Sequence, residues 1–344
     1  MKKDAMVSKS NKIVVMGGGA FGVALAKLLS EKSREVTLWA RDEKICQAIN
    51  ETHHHPTRLS QITLLHHVVA TTDLRQALCD ARFVVLALPM AALRSVLDSA
   101  KAYFHEGAII VSTAKGIEEA SWALPCDILK AVLPKNLSER ACFLSGPSFA
   151  LELALNLPAA LTLASGNQES SLECQRQLSS PSFRLYRTDD VVGVCVGGAL
   201  KNVIAIAAGA CNGLSLGRNA LAALITRGLF EITTLAVKMG GRAETVSGLS
   251  GAGDLILSCT DDMSRNHRLG RLLADGFALP KALQKIESVV EGRKTAESIP
   301  ALSEKFQVEL PISMAVYRVL YEQENVKSAV LSLLARKLHE EFTS

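Results

Sequence analysis

Residues 12–16, KIVVM, form a continuous apolar run rich in β-branched side chains, and the turn GGGAFG (17–22) leads from it directly into the helical stretch AFGVALAKLLSEK. A second strand-like segment, EVTLWA, begins at Glu35, so strand, turn, helix and strand close within about thirty residues, the size of a βαβ unit. The turn carries the spacing Gly17-x-Gly19-x-x-Gly22. In such a turn the first glycine permits the sharp reversal, the second lets a pyrophosphate approach the backbone, and the third lets helix and strand pack closely. Phosphates then rest on the helix N-terminus, where unpaired N–H groups and the helix dipole favour anions. An ordinary glycine turn can share the spacing, but the position between strand and helix predicts a dinucleotide site.

Further strand candidates follow as HVVATT near 67–72, RFVVLALP at 82–89, AIIVSTA at 108–114 and CFLSGP at 142–147, then PAALTLASG and SFRLYRTDD. Helical patterns such as RDEKICQAIN and AALRSVLDSAKAYF lie between several of them. Strands alternating with helices, several of them continuously apolar, predict a parallel sheet covered on both faces. From about residue 190 the chain turns to long stretches rich in Ala, Gly and Leu. The expected class is therefore α/β: a Rossmann-like, mostly parallel sheet domain over residues 1–190, followed by an all-α domain over 191–344. A length of 344 residues suits two domains.

The 38 basic and 34 acidic residues give a net charge of +4 without a polybasic run, which argues against nucleic-acid wrapping and a basic membrane-facing patch but suits small anionic ligands. Eight cysteines are scattered without a CxxC pair. That is the pattern of core thiols in a reducing compartment, not of a zinc or disulfide framework. The N-terminal MKKDAMVSKSN reads as a short polar tail without an apolar stretch of signal-peptide length, so the expected location is cytoplasmic.

The window VVGVCVGGALKNVIAIAAGAC (191–211) would pass for a membrane span but for Lys201 and Asn202 at its middle. A lysine at a bilayer centre costs roughly 2.5–3.5 kcal/mol, so a buried helix of a soluble protein is the better reading. On a helix Lys201 shares its face with Val194, Gly197, Gly198, Ile204, Ala205 and Ala208, mostly small residues over which another molecule could approach. Desolvation there lowers a lysine pKa, as suits a proton donor. A carboxylate such as Asp254, in GLSGAGDLILSCT, would oppose that shift and hold the ammonium in place. Standing alone, Lys201 would read as a lysine snorkelling from a domain edge.

Lys115, in STAKGIEE, stands just past a buried strand, where ligands gather in open α/β sheets. SGPSFALE (145–152) is another strand-to-helix turn, and SRNHR supplies Arg265 and Asn266. After the second strand the chain reads Trp39-Ala40-Arg41-Asp42, where an NAD-specific site usually ends in an acidic residue. Arg41 suits either the 2′-phosphate of NADP or the exposed start of a helix, and Asp42 suits that helix's N-cap. The histidines of HHHP (53–56), with His66 and His67, invite a metal reading. Adjacent histidines point apart, however, and no carboxylate or cysteine has ligand-like spacing. The expectation is a polar surface loop and no metal.

Ten segments carry a resemblance over nearly the whole length: GGGAFGVALA, VVLALPMAALRSVL, VSTAKGIE, LSGPSFALE, LPAALTLAS, GGALKNVIAIAAG, GLSGAGDLILSCT, SRNHRLGRLL, VVEGRKTA and ELPI. In that order they resemble the NAD(P)-dependent glycerol-3-phosphate dehydrogenases of bacteria. The resemblance implies that Lys201 is the general acid-base residue, with Lys115 and Asp254 assisting. It implies a substrate site of Lys115, Gly146, Ser148, Lys201, Asn202, Asp254, Ser258, Arg265 and Asn266. It implies that NAD or NADP is held by Gly17, Gly19, Ala20, Phe21, Gly22, Arg41, Pro89, Lys115, Ala150, Arg265, Val289 and Glu291. Two departures stand out: Leu151 replaces the lysine of the family's FAKE segment, removing a surface or domain-interface charge, and NETHHHP replaces a tyrosine-containing NxxYLP segment.

The chemistry so implied is hydride transfer between a nicotinamide and the middle carbon of a three-carbon phosphate, with a product that feeds phospholipid synthesis. Lys201 donates the proton, Lys115 stabilises the growing negative charge, Asp254 orients Lys201, and Arg265, Asn266 and Ser258 clasp phosphate oxygens. The 3-hydroxyacid and 6-phosphogluconate dehydrogenases, which also place a lysine on the first helix after the nucleotide domain, favour KxxN spacing, whereas here Asn202 directly follows Lys201. A module that merely senses NAD(P) has no need of Lys201, Asp254 and Arg265 together. The expected partner is a small phosphate substrate, with no nucleic acid and no stable membrane insertion, and the apolar helices of the second domain suit a homodimer.

Overall fold

One sheet of eight strands organises the N-terminal half of the chain. In the computed structural model, which describes residues 11–33, 35–286, 288–336 and 340, these are β1 (Ile13–Met16), β2 (Val36–Trp39), β3 (Val68–Thr71), β4 (Phe83–Leu86), β5 (Ile109–Ser112), β6 (Cys142–Ser145), β7 (Ala159–Ala164) and β8 (Phe183–Thr188). Apart from Asn11, the expected polar N-terminal tail lies outside the described residues. The strand order is β3-β2-β1-β4-β5-β6-β7-β8. β1 is the pivot: Val14 pairs with Thr37 on one side and Val84 on the other, both in parallel. Every neighbouring pair is parallel except β6–β7, where Phe143 faces Ala164 in an antiparallel ladder.

The burial of each strand follows its place in the sheet. β1, β4, β5 and β6 are buried at every residue, whereas the edge strands β3 and β8 mix buried and exposed residues. Central strands are covered on both faces and so need continuously apolar runs; edge strands keep a wet side. The helix α1 (Ala20–Ser30) follows β1 and α2 (Glu43–Thr52) follows β2. Because strand order reverses at β1, the glycine turn leaves the sheet at the topological switch point, where open α/β sheets bind their ligands.

The chain separates into two compact units. The first runs to Ala114 and resumes over Pro125–Val191; the second takes Lys115–Leu124 and the chain from Val192 onward. Among the described residues the second unit is helical, without a strand. Its first helix, Val191–Gly213, is buried over 83% of its most apolar stretch, while the next, Arg218–Lys238, is buried over only 28%. Both are long and apolar enough to cross a membrane by length and composition. Six of the cysteines (46, 142, 174, 195, 211 and 259) are buried thiols, Cys79 is exposed, and Cys126 lies between.

Two glycines set the seat of the Val191–Gly213 helix. A Cβ at Gly209 would fall 1.8 Å from the carbonyl oxygen of His267, and one at Gly270 would fall 1.8 Å from that of Ile206. This helix and the helix Arg265–Ala274 therefore meet backbone to backbone. Nearby, the buried Glu231 carboxylate accepts the N–H groups of Ile312 (2.5 Å) and Ser313 (3.0 Å), capping the helix Pro311–Tyr321. Since the atoms in the way at Gly209 and Gly270 are backbone, Gly209→Ala or Gly270→Ala should destabilise the protein by roughly 1–3 kcal/mol. A lowered thermal midpoint in calorimetry is the expected reading, and an unchanged one contradicts the close packing.

Candidate active site

The glycine turn has the shape that a pyrophosphate requires. Gly17 has φ +130°, and a Cβ there would lie 2.3 Å from the carbonyl oxygen of Ala87; at Gly22 it would lie 1.9 Å from that of Gly17. Only glycine fits either position. At Gly19, the cap of α1, nothing lies within 4 Å of the Cβ position, and the first turn of α1 carries no acidic residue. A phosphate can therefore reach the backbone and the positive end of the helix. Ala20 and Phe21 form the start of that turn. Arg41 is exposed, and Asp42 caps α2 by accepting the Lys44 N–H at 2.9 Å. Pro89 caps the helix Met90–Ala100, Ala150 opens the helix Ala150–Ala154, and Ser148 donates from Oγ to the Gly146 carbonyl at 2.9 Å.

One expectation for the first unit is corrected by the structure. HHHP is not simply a polar surface loop: the His55 ring is 1% exposed, with Nε2 2.9 Å from the carbonyl oxygen of Gly18. The ring of His54 instead contacts the Ser60 carbonyl, and that of His53 packs edge-on against His66 at 5.7 Å. Leu151, where the family carries a lysine, is partly buried against the apolar core, which gives an apolar residue a packing role there.

The charged cluster lies in the second unit. Lys201 Nζ donates to Asp254 Oδ1 at 2.6 Å and to Ser258 Oγ at 2.7 Å, and Lys115 Nζ donates to the other Asp254 oxygen at 2.5 Å. Asp254 and Ser258 both project from the short helix Asp254–Thr260, entered through a π-helical turn at Leu249–Gly253. Part of the small face beside Lys201 is taken by the chain itself. A Cβ at Gly197 would lie 3.0 Å from the Ser250 carbonyl, so the chain's own turn occupies that part of the face and delivers Asp254 to the lysine.

Burial pushes the Lys201 ammonium down to about 8; Asp254 opposes that shift and Lys115 adds to it. Burial alone would raise the Asp254 carboxyl, but the two lysines more than offset this and hold it below its usual range. The Lys201 ammonium therefore gives up its proton more readily than an ordinary lysine, while Asp254 beside it stays ionised.

A second, uncharged network lies beside it. Asn266 Nδ2 donates to Asn202 Oδ1 at 2.8 Å, while Asn266 Oδ1 accepts the Gly292 N–H at 2.9 Å. These amides join the Val191–Gly213 helix, the Arg265–Ala274 helix and the helix Glu291–Glu297. Arg265 is exposed and donates to Ser288 Oγ at 2.9 Å; Val289 is exposed and Glu291 partly buried. The side chains expected to clasp phosphate are therefore divided, with Ser258 on the lysine, Asn266 on backbone and amide, and Arg265 at the surface.

Two family profiles match the chain, the NAD-dependent glycerol-3-phosphate dehydrogenase N-terminus over residues 12–171 and its C-terminus over 190–331. The chain belongs to that family. A glycerol-3-phosphate dehydrogenase [NAD(P)+] of Myxococcus xanthus is 46% identical over 94% of this chain and 96% of its own length. That of Bacillus licheniformis is 43% identical over 96% of each. A crystal structure of the Coxiella burnetii glycerol-3-phosphate dehydrogenase, 35% identical, superposes with a TM-score of 0.90 over 95% of this chain and 99% of that one.

For a dehydrogenase of this family the shared carboxylate is the point to probe. Asp254→Asn removes the charge that supports Lys201 while leaving the burial, so the Lys201 pKa should fall below about 8. The titration of ¹³C-methylated lysines by NMR would show it. Leaving two ammonium groups without their carboxylate should also cost about 3 kcal/mol of stability.

Proposed function

We propose that this protein reversibly reduces dihydroxyacetone phosphate to sn-glycerol 3-phosphate with NADH or NADPH, supplying the backbone for phospholipid synthesis. The observation that carries the reading is the Lys201 ammonium held between Asp254 and Ser258, beside a second ammonium on the same carboxylate. The names of the full-length relatives support the substrate and the cofactor. When bound, the nicotinamide supplies or accepts the hydride. Gly19 and the first turn of α1 would hold its pyrophosphate, Gly17 and Gly22 would shape the turn, and Arg41 would accommodate a 2′-phosphate.

As hydride reaches the carbonyl carbon, the C=O electron pair moves onto oxygen. Lys201 gives that oxygen a proton and becomes a neutral amine; in the oxidation direction the amine takes the hydroxyl proton back. An ammonium has three protons, and Asp254 and Ser258 engage two of them. The third is the one for substrate. Lys115 keeps the cluster positive as the oxyanion grows. Arg265 opens its helix directly after the Ser264 cap, so guanidinium and helix N-terminus together suit the phosphate group. Asn202 and Asn266 brace that helix against the lysine.

The dehydrogenase works in the cytoplasm, a location that the scattered free thiols support. It forms a homodimer through the second unit, a reading supported by the exposed length of the Arg218–Lys238 helix and by exposed Leu331 and Leu334.

The direct test follows NADH and NADPH absorbance with dihydroxyacetone phosphate, 2-keto acids or buffer alone; oxidation of neither cofactor with dihydroxyacetone phosphate overturns the proposal. Lys201→Ala should lower turnover by about 10²–10⁴-fold with NADH binding retained. Because reduction needs the protonated lysine, kcat/KM for dihydroxyacetone phosphate should fall as pH rises through about 8. For glycerol 3-phosphate oxidation, which needs the neutral amine, kcat/KM should rise over the same range.

A further inference from the structure

His55 lies in the loop that follows α2, which ends at His53 in a left-handed turn with φ 58°. Its Nδ1 receives the N–H groups of Thr57 at 3.1 Å and Arg58 at 2.9 Å. A nitrogen facing two donors must be an acceptor, so the neutral ring carries its proton on Nε2. That proton points at the Gly18 carbonyl oxygen, 2.9 Å from Nε2. Both ring nitrogens are therefore committed, one to shaping its own loop and one to the glycine turn.

Gly18 is the middle of three consecutive glycines. Such a run has wide conformational freedom, and a peptide between two glycines can turn over at little steric cost. Two contacts oppose that. In the first, a Cβ at Gly18 would lie 2.8 Å from Ala40 Cβ, so the backbone there is pressed against the end of β2. The second contact is the His55 ring on the Gly18 carbonyl. In a planar trans peptide the carbonyl of one residue and the N–H of the next point in opposite directions. Holding the Gly18 carbonyl therefore aims the Gly19 N–H away from His55, at the cap of α1.

We propose that His55 is a positioning residue for cofactor binding: its Nε2–H locks the Gly18–Gly19 peptide so that the Gly19 N–H is presented to the dinucleotide pyrophosphate before the cofactor arrives. This rests on the glycine turn being the cofactor cradle. The ring touches the turn and not the reacting atoms, so it governs cofactor affinity and not the chemical step.

The same geometry makes the lock sensitive to acid. Burial pushes the His55 imidazole below its ordinary value; Arg58 adds to that, whereas the Gly18 carbonyl and Asp42 act against it. The lock is complete above about pH 6.5, the ordinary histidine value. It is lost as pH falls through the lowered value, because a proton on Nδ1 would face the N–H groups of Thr57 and Arg58.

The experiment measures NADH affinity of the full-length protein by calorimetric titration, with kcat at saturating NADH measured in parallel. His55→Leu should weaken NADH binding about tenfold, the worth of one hydrogen bond, with kcat at saturation retained. His55→Gln, which keeps a donor for the Gly18 carbonyl, should restore most of the affinity. From about pH 8 to about pH 5 the wild type should lose NADH affinity while His55→Gln stays level. Wild type that binds NADH beside an equally tight His55→Leu variant, or a loss that appears in kcat at saturation, overturns the inference and leaves the cofactor reading intact. Wild type that fails to bind NADH overturns the cofactor reading itself. If His55→Leu does not fold, the pH comparison with His55→Gln decides, and matching profiles overturn the proposal.

Discussion

One buried carboxylate holds two ammonium groups: Asp254 takes Lys115 on one oxygen and Lys201 on the other. Removing three charges from water is costly, and it is tolerated only because each finds a partner at hydrogen-bond distance. The surrounding architecture serves that arrangement. Gly197 admits the Ser250 turn that carries Asp254 to the lysine, and Gly209 and Gly270 let the Lys201 helix lie directly on the helix that begins with Arg265. The Asn202–Asn266–Gly292 chain then fixes that helix against a third. A cluster of two positive charges and one negative charge suits an anionic substrate, and its burial leaves Lys201 with a proton that can be given up near neutral pH.

The first unit solves a different problem with the same device. A phosphate is bound by backbone N–H groups, and backbone can come close only where side chains are missing. Gly17 and Gly22 bring the turn against Ala87 and against itself, leaving Gly19 open. The resulting freedom has to be removed elsewhere. At Gly18 both Ala40 and the His55 ring press on the turn, so a loop distant in sequence touches its backbone.

Much of the fold is legible in the amino-acid sequence. All eight strands lie within the segments picked out in the sequence, and the central ones stand out because they are covered on both faces and their continuous apolar runs record it. Asp42 as a helix cap is legible for a similar reason, since capping is a matter of neighbouring residues. His55 is not. HHHP looks like polar loop, and nothing local indicates that one of its three rings turns inward while its neighbours meet Ser60 and His66. The small residue Gly197 beside Lys201 is a similar case: its type shows that space is left, not that the Ser250 turn comes to fill it.

By itself the sequence determined the order of strands and helices and the glycine turn at the end of β1, and it offered candidates of the right residue type to move a proton or hold a phosphate. These follow from periodicity, local turn chemistry and residue type, which are properties of neighbours along the chain. Only the tertiary structure decided that Asp254 would share its second oxygen with Lys115, that Ser258 would serve Lys201, that two asparagines would bond to each other, and that a histidine 37 positions from Gly18 would hold its carbonyl. Those outcomes depend on backbone approaches across long separations in sequence, set by packing between elements and not by any pattern within them.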